Sequence, residues 1–321
     1  MFGPAPGSEG LVYIAQSLIV HMNRKEFLRS LLTMTAMTSL TGFNKLTDEL
    51  PVQSRKMPVL FTSHGNPMDI PASREERPFW KTLYDLGREL EMGYEIRAVL
   101  VVSAHWCTND ETMVNASSVQ KQIYDYYGFP EEYYDVVYHA QGAPEIAHEV
   151  KKVVPSVLET EEWGLDHGAW PMLMHLFPDA DIPVFQMSIN YNARPDYHFE
   201  LGKQLKSLRD KGVLIIGSGS MIHNLNLAMR KFREGDTSAY GWEGEYDQWL
   251  KKQIDERNFS ALINYQTSHE LGKLASPTPD HYVLVLYSLG LMDTADDLRY
   301  FYEEAPTIPA FSERSFLIGR L

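Results

Sequence analysis

Val213-Leu-Ile-Ile216 runs straight into Gly217-Ser218-Gly219-Ser220-Met221-Ile222-His223-Asn224, and this stretch decides the fold. Four apolar residues without polar alternation suit a strand covered on both faces. The glycines end the strand, and a histidine follows. The same pattern occurs twice upstream. Pro58-Val-Leu-Phe-Thr62 leads into Ser63-His64-Gly65-Asn66-Pro67, and Ala98-Val-Leu-Val-Val102 leads into a polar turn, Ser103-Ala104-His105-Trp106. A fourth apolar run, Ile182-Pro-Val-Phe-Gln-Met187, has no histidine after it.

Helical patterns separate these runs. Arg77 to Met92 carries Phe79, Leu83, Leu86 and Leu90 on one face and meets Gly93 at its end. Pro144 to Val154 starts with proline in the first turn. Asp196 to Lys211 opens on an N-cap and closes before Gly212, and Trp242 to Arg257 and Asp280 to Leu289 complete the set. Strands alternating with helices predict a single α/β domain over residues 58–321. Its central sheet should be largely parallel or mixed, with helices on both faces.

Open α/β sheets bind ligands beyond the carboxyl ends of their strands. His64, His105 and His223 all fall there. His167 in Asp166-His167-Gly168 and His281 in Pro277-Thr278-Pro279-Asp280-His281 occupy similar turn or helix-start positions. One such histidine is more often a hydrogen-bonded structural residue than a ligand; three or more at one edge reverse that expectation. The other six read as ordinary. His148 and His198 should face solvent from charged helices, His175 should be packed, His139 and His269 should lie in loops, and His21 belongs to the N-terminal tail.

The chain has 321 residues, 11 histidines and one cysteine, Cys107. One cysteine builds neither an internal disulfide nor a thiolate cluster, so a bound metal must use histidine and carboxylate. Cys107 is expected to be a buried, inert thiol rather than a nucleophile paired with His105. The net charge of −14 argues against nucleic-acid partners, because phosphates would be repelled. Gly217-x-Gly219 lacks the third glycine of a dinucleotide fingerprint and the Gly-Lys of a P-loop, so it is read as allowing close backbone approach. Neither Ser63 nor Ser103 sits in Gly-x-Ser-x-Gly, which argues against a serine hydrolase. Tyr124, Tyr126, Tyr127 and Phe129 form an aromatic cluster that reads either as core packing or as the wall of an aromatic pocket.

Residues 1–57 lack the strand-and-turn rhythm and read as a tail or a signal-like segment. Basic residues from Met22 precede a short stretch, Phe27 to Leu40, that is too polar to span a bilayer. Arg24-Lys25-Glu26-Phe27-Leu28-Arg29 is similar to a twin-arginine export signal with lysine in place of the second arginine. Cytoplasmic residence is the expectation, with export through this segment as the alternative.

Seven motifs in order carry a family resemblance. They are Ser63-His64-Gly65-Asn66-Pro67, Ser103-Ala104-His105-Trp106, Asp125-Tyr126-Tyr127-Gly128-Phe129-Pro130, Gly164-Leu165-Asp166-His167-Gly168-Ala169-Trp170, Pro178-Asp179-Ala180-Asp181-Ile182-Pro183-Val184, Gly217-Ser218-Gly219 with His223-Asn224, and Pro277-Thr278-Pro279-Asp280-His281. Together they resemble the class III, LigB-like extradiol ring-cleavage dioxygenases, in the 4,5-DOPA extradiol dioxygenase branch. The resemblance covers roughly Pro58 to Gly290. Asn66 stands where serine is usual, Ala169-Trp170-Pro171-Met172 departs from the common order, and the tail has no counterpart.

The resemblance implies a metal held by His64, His105 and His281, with His223 at or beside it. His167 and Tyr127 would face the substrate. His223 would act as general base and His167 as a second catalytic group, with Asp166, Asp280 and Asn224 supporting the rings. The implied cofactor is Fe(II), with Zn(II) able to occupy the same imidazole site. The implied partners are a small aromatic diol and O₂. Two alternatives stand beside this reading: a zinc-dependent hydrolase using the same histidines, and a non-catalytic relative that binds a metal or a partner.

Overall fold

Four strands with almost no polar alternation form the middle of the sheet: β1 (Val59–Thr62), β2 (Ala98–Thr108), β5 (Val184–Asn190) and β6 (Val213–Ser218). β1, β5 and β6 are buried along their whole length, as strands covered on both faces must be. They come from a computed structural model that describes residues 51–304, 306 and 308–320. The signal-like segment and the twin-arginine-like residues lie outside the described residues.

The remaining strands are β3 (Met113–Asn115), β4 (Leu158–Thr160), β7 (Leu298–Tyr302) and β8 (Ser315–Ile318). The eight strands run in the order β4-β3-β5-β2-β6-β1-β8-β7. The central pairs β5–β2, β2–β6 and β6–β1 are parallel. β8 closes the β1 edge antiparallel, and β3 joins β5 antiparallel. The sheet is therefore mixed around a parallel centre, in agreement with the expected single α/β domain.

The helices are α1 (Pro78–Gly93), α2 (Pro144–Val153), α3 (Trp170–Leu176), α4 (Pro195–Gln204), α5 (Lys206–Asp210), α6 (Leu225–Arg233), α7 (Trp242–Asp255), the short α8 (Phe259–Ile263), α9 (Tyr265–Ser268) and α10 (Gly272–Ala275), and α11 (Val283–Gly290). Side chains alternate across a strand, so Leu60, Val99, Val101, Leu214 and Ile216 share a face. They meet Phe79, Leu83, Trp170 and Leu173 of α1 and α3 in one core. The opposite face takes α11, which packs against β1, β2 and β6 and is itself packed by α4. Each fully buried Leu, Ile or Val in these layers contributes about 1.5–3 kcal/mol through removal of apolar surface from water.

The helix expected over Asp196 to Lys211 is two helices, because α4 ends at Gln204 and Leu205 joins it to α5. Gly212 follows at φ +84°, a left-handed conformation suited to glycine. Residues 52–57 pack on the domain, with Met57 fully buried and its amide bonded to the Arg209 carbonyl. Among the described residues no helix is long and apolar enough to cross a membrane.

His198 corrects an expectation. Its charged neighbours suggested a solvent-facing ring, but it is fully buried against Tyr287 of α11, at a ring separation of 5.3 Å. The buried face of α4 includes it because that face must cover α11. His175 is packed as expected, stacked on Trp80 at 4.5 Å. Desolvation lowers both imidazoles from the usual 6.5 to about 4. The unfolded chain therefore binds more protons than the folded one between these values, and stability present above pH 6.5 drains away as pH falls toward 4. In chemical denaturation, the loss of stability between pH 7 and 4.5 should shrink by roughly 2 kcal/mol in His198→Phe. An unchanged pH slope would show that this ring is not held neutral.

Candidate metal centre

Strand register gathers the histidines. Thr62 of β1 and Ser103 of β2 both stand opposite Ser218 of β6. His64 and His105 each lie two residues beyond that row. β2 is longer than expected, so His105 sits within the strand rather than in the turn read from sequence. The register against β5 shifts between Val102 and Cys107, an irregularity of the kind that re-aims side chains beside functional sites. After β1 the chain turns sharply at Gly65, at φ +76°. A side chain there would meet the Trp80 ring at 2.6 Å.

The loop after β6 is held by backbone bonds. Gly219 N–H donates to Thr62 O, Ser220 N–H to His281 O, and His223 N–H to Ala275 O. A Cβ at Gly219 would lie 2.4 Å from the His281 carbonyl, so the glycine permits the close approach read from sequence. Gly168 does the same beside His105, where a Cβ would fall 2.4 Å from Ser103 Oγ.

All five singled-out imidazoles meet. His64 Nε2 and His105 Nε2 are 3.1 Å apart. The His105 and His167 rings are centred 3.7 Å apart, and His281 lies 5.4 Å from His64 and 5.0 Å from His105. His223 stacks on His281 at 3.5 Å. Two sets of donors are close enough to share an ion: His64, His105 and His167, and His223, Asp280 and His281. The four-histidine metal set is thus divided between two neighbouring groups. His167, expected on the substrate side, stands with the first.

Two rings are hydrogen-bonded outward, His64 and His281, and Asp125 stands beside two more. Ser218 Oγ donates to Gly168 O and is therefore left to accept from His64 Nδ1–H at 3.0 Å. That chain leaves a bare lone pair on His64 Nε2, facing the cluster. His281 Nδ1 is bonded to the Asp280 carboxylate. Asp125 Oδ2 lies 2.8 Å from His167 Nδ1 and 3.4 Å from His105 Nδ1, and Asp125 Oδ1 accepts the His167 backbone N–H at 2.9 Å. Outer carboxylates and hydroxyls that fix ring tautomers are the usual support of a metal centre. The imidazole and carboxylate donors suit Fe(II) or Zn(II).

Electrostatics agree with neutral, donor-ready rings. Desolvation and the neighbouring imidazoles hold His64, His105 and His223 well below the usual histidine range. Desolvation pushes the Asp280 carboxyl up. Its bond to His281 and the neighbouring His281 and His223 imidazoles outweigh that and hold it below the usual range. Cys107 takes no part. It is an exposed residue, against the expectation of burial, because the end of β2 emerges at the pocket wall. Its sulfur turns inward to the Ala104 carbonyl, and desolvation with the Asp280 and Asp166 charges pushes the thiol up to about 12. It is inert as expected.

Other expected residues have different duties. Asp166 bonds none of the imidazoles. Fully buried, it accepts from Ser103 Oγ, Gly168 N, Trp163 Nε1 and Gln186 Nε2, and so braces the loop that carries His167. Asn224 caps α6, accepting from Leu227 N and donating to Leu274 O. Tyr127 is 87% exposed and lies outside the pocket walls, whereas Asp125 and Phe129 of the same segment line them. The segment buries Tyr126 against Tyr134 and His167, which turns its neighbour outward. Asp125 was missed, although it lies in a quoted motif. A carboxylate next to the buried aromatics was the available signal.

The rings form the floor of a cavity of about 870 Å³, walled by Met68, Phe129, Tyr191, Leu225, Met229, Phe232 and Phe311 among others. That volume is in the range of small-molecule sites.

The model of the catalytic LigB subunit of aromatic ring-opening dioxygenase matches residues 58–311. A protein of Escherichia coli K12 named 4,5-DOPA dioxygenase extradiol is 37% identical over 254 residues, covering 77% of this chain and 90% of its own. One of the same name from Beta vulgaris is 37% identical over 235 residues, covering 72% and 85%. The crystal structure of an uncharacterized protein from Escherichia coli K12 superposes with a TM-score of 0.68 at 33% identity, covering 82% of this chain and all of that one.

Ser218→Ala removes the acceptor that fixes His64. Metal affinity, measured by competition with a chelator, should fall about 10–100-fold with the fold intact by circular dichroism. Unchanged affinity would show that the hydroxyl does not position the ring.

Proposed function

We propose, from the premise that the chain belongs to the LigB family of aromatic ring-opening dioxygenases, that it opens the ring of a catechol beside the diol with O₂. The enzyme class is that of an extradiol ring-opening oxidoreductase, and this sets aside the hydrolase and non-catalytic alternatives. The observation that carries the reading is the five-imidazole floor, with His64 bonded to Ser218, His281 bonded to Asp280, and Asp125 beside His105 and His167.

In this reading His64, His105 and His281 would hold Fe(II). When bound, the ion would supply Lewis acidity toward the diol oxygens and redox chemistry toward O₂. His223, stacked beside His281 at the cavity floor and kept unprotonated by desolvation and its neighbours, takes the proton of a diol hydroxyl. His167, oriented by Asp125, steadies the substrate oxygen on the other side. The apolar walls give the aromatic ring a surface to pack against. Both atoms of O₂ enter the product: the ring C–C bond next to the diol breaks, leaving one carboxylate and one aldehyde.

An oxygen electrode with Fe(II)-loaded protein should record one O₂ consumed per catechol, with a coloured semialdehyde appearing in step. Absence of uptake across a catechol panel would sink the reading. His64→Ala, His105→Ala and His281→Ala should lose the metal. His167→Ala should keep it. His223→Ala should keep most of it and slow turnover by about 10²–10⁴-fold. Metal lost from His167→Ala and kept by His281→Ala would move the third ligand to the His64–His105–His167 group.

A further inference from the structure

We infer that the catechol taken by this cavity carries an apolar, uncharged substituent rather than a carboxylate, an inference that rests on the ring-opening reading above. If the diol is held at the histidine floor, whatever else the substrate bears must face the rest of the lining. Among the described residues that lining contains no lysine and no arginine. Its only carboxylates are Asp125 and Asp280, both committed to histidines. A carboxylate entering here would give up part of its hydration with no lysine or arginine beside it, and two carboxylate side chains would share its cavity.

The wall opposite makes the positive case. Leu225, Met229 and Phe232 stand at i, i+4 and i+7 on α6, one face of a helix, and all three line the cavity. Leu225 and Met229 are nevertheless 54% and 40% exposed, and Met68 on the facing turn is 50% exposed. These side chains are not paid for by a core, so the apolar stripe is available to a ligand. The helix does carry cations, Arg230, Lys231 and Arg233, but none lines the cavity. Lys231 is held by Asp236 at 2.9 Å and by Ser238.

The test compares two catechols of similar size, one with a butyl chain and one with a propanoate chain at the same ring position. The full-length Fe(II)-loaded protein is titrated calorimetrically without O₂, and turnover is then followed after O₂ is admitted. The butyl catechol should bind at least about tenfold more tightly; a smaller ratio, or tighter binding of the propanoate, overturns the inference. Met229→Lys places a cation on a half-exposed position of the wall and should shift the ratio about tenfold toward the propanoate. An unshifted ratio would show that α6 does not face the substituent. Binding with no O₂ uptake for either catechol would sink the ring-opening reading while leaving the binding preference measured.

Discussion

The site depends on the parallel register of β1, β6 and β2. Thr62, Ser218 and Ser103 lie in one row, so His64 and His105, each two residues past that row, emerge at one height. A slip of one residue would turn His64 to the opposite face, because side chains alternate with period two. Ser218 serves this register twice. Its backbone belongs to the row, and its hydroxyl links His64 to the Gly168 carbonyl of the loop that carries His167. The glycines at 168 and 219 matter for the same reason, since the rings can converge only where the backbones behind them approach without side chains.

Much of the parallel centre was legible in the sequence, for a physical reason. A strand covered on both faces must be apolar at every position, and Val213–Ile216 or Ala98–Val102 admits few other readings. The edges were not legible. Leu158-Glu159-Thr160 of β4 is largely exposed and carries no apolar pattern, and β7 at the other edge has no fully buried residue. The five histidines were legible by position, since each follows a strand or opens a helix. Their partners were harder. Asp280 adjoins its ring in sequence, whereas Asp125 reaches His167 across 42 residues, and only the fold reveals that contact. Asp166 and Asn224 adjoin histidines in sequence yet spend their polar atoms on loop and helix ends, where buried backbone groups needed partners. His198 misled because the sequence around it is charged, although burial is decided by what packs above it.

Carboxylates and imidazoles share the work here in a way suited to low dielectric. Asp280 is bonded to His281 and Asp125 stands beside His105 and His167, so neither carboxylate is buried without a polar neighbour. Desolvation, with repulsion between protonated rings, keeps His64 and His105 in their donor state. Asp166, buried and bonded four times, stiffens the frame without entering the cluster.

The pairing of β1 with β8 has a consequence for how the centre comes into being. The first strand of the sheet is completed by its last, and His223 is bridged to Phe311 in the same C-terminal stretch. Contacts between such distant parts of a chain close slowly, because the loop entropy is spent before the contact is gained. The donors themselves extend from residue 64 to residue 281. A nascent chain that has emerged only as far as β6 therefore holds some of the imidazoles without the cage that aims them. A ligand set of this span is complete only in the folded chain, and an ion meeting the chain earlier would find separate imidazoles rather than a converged set.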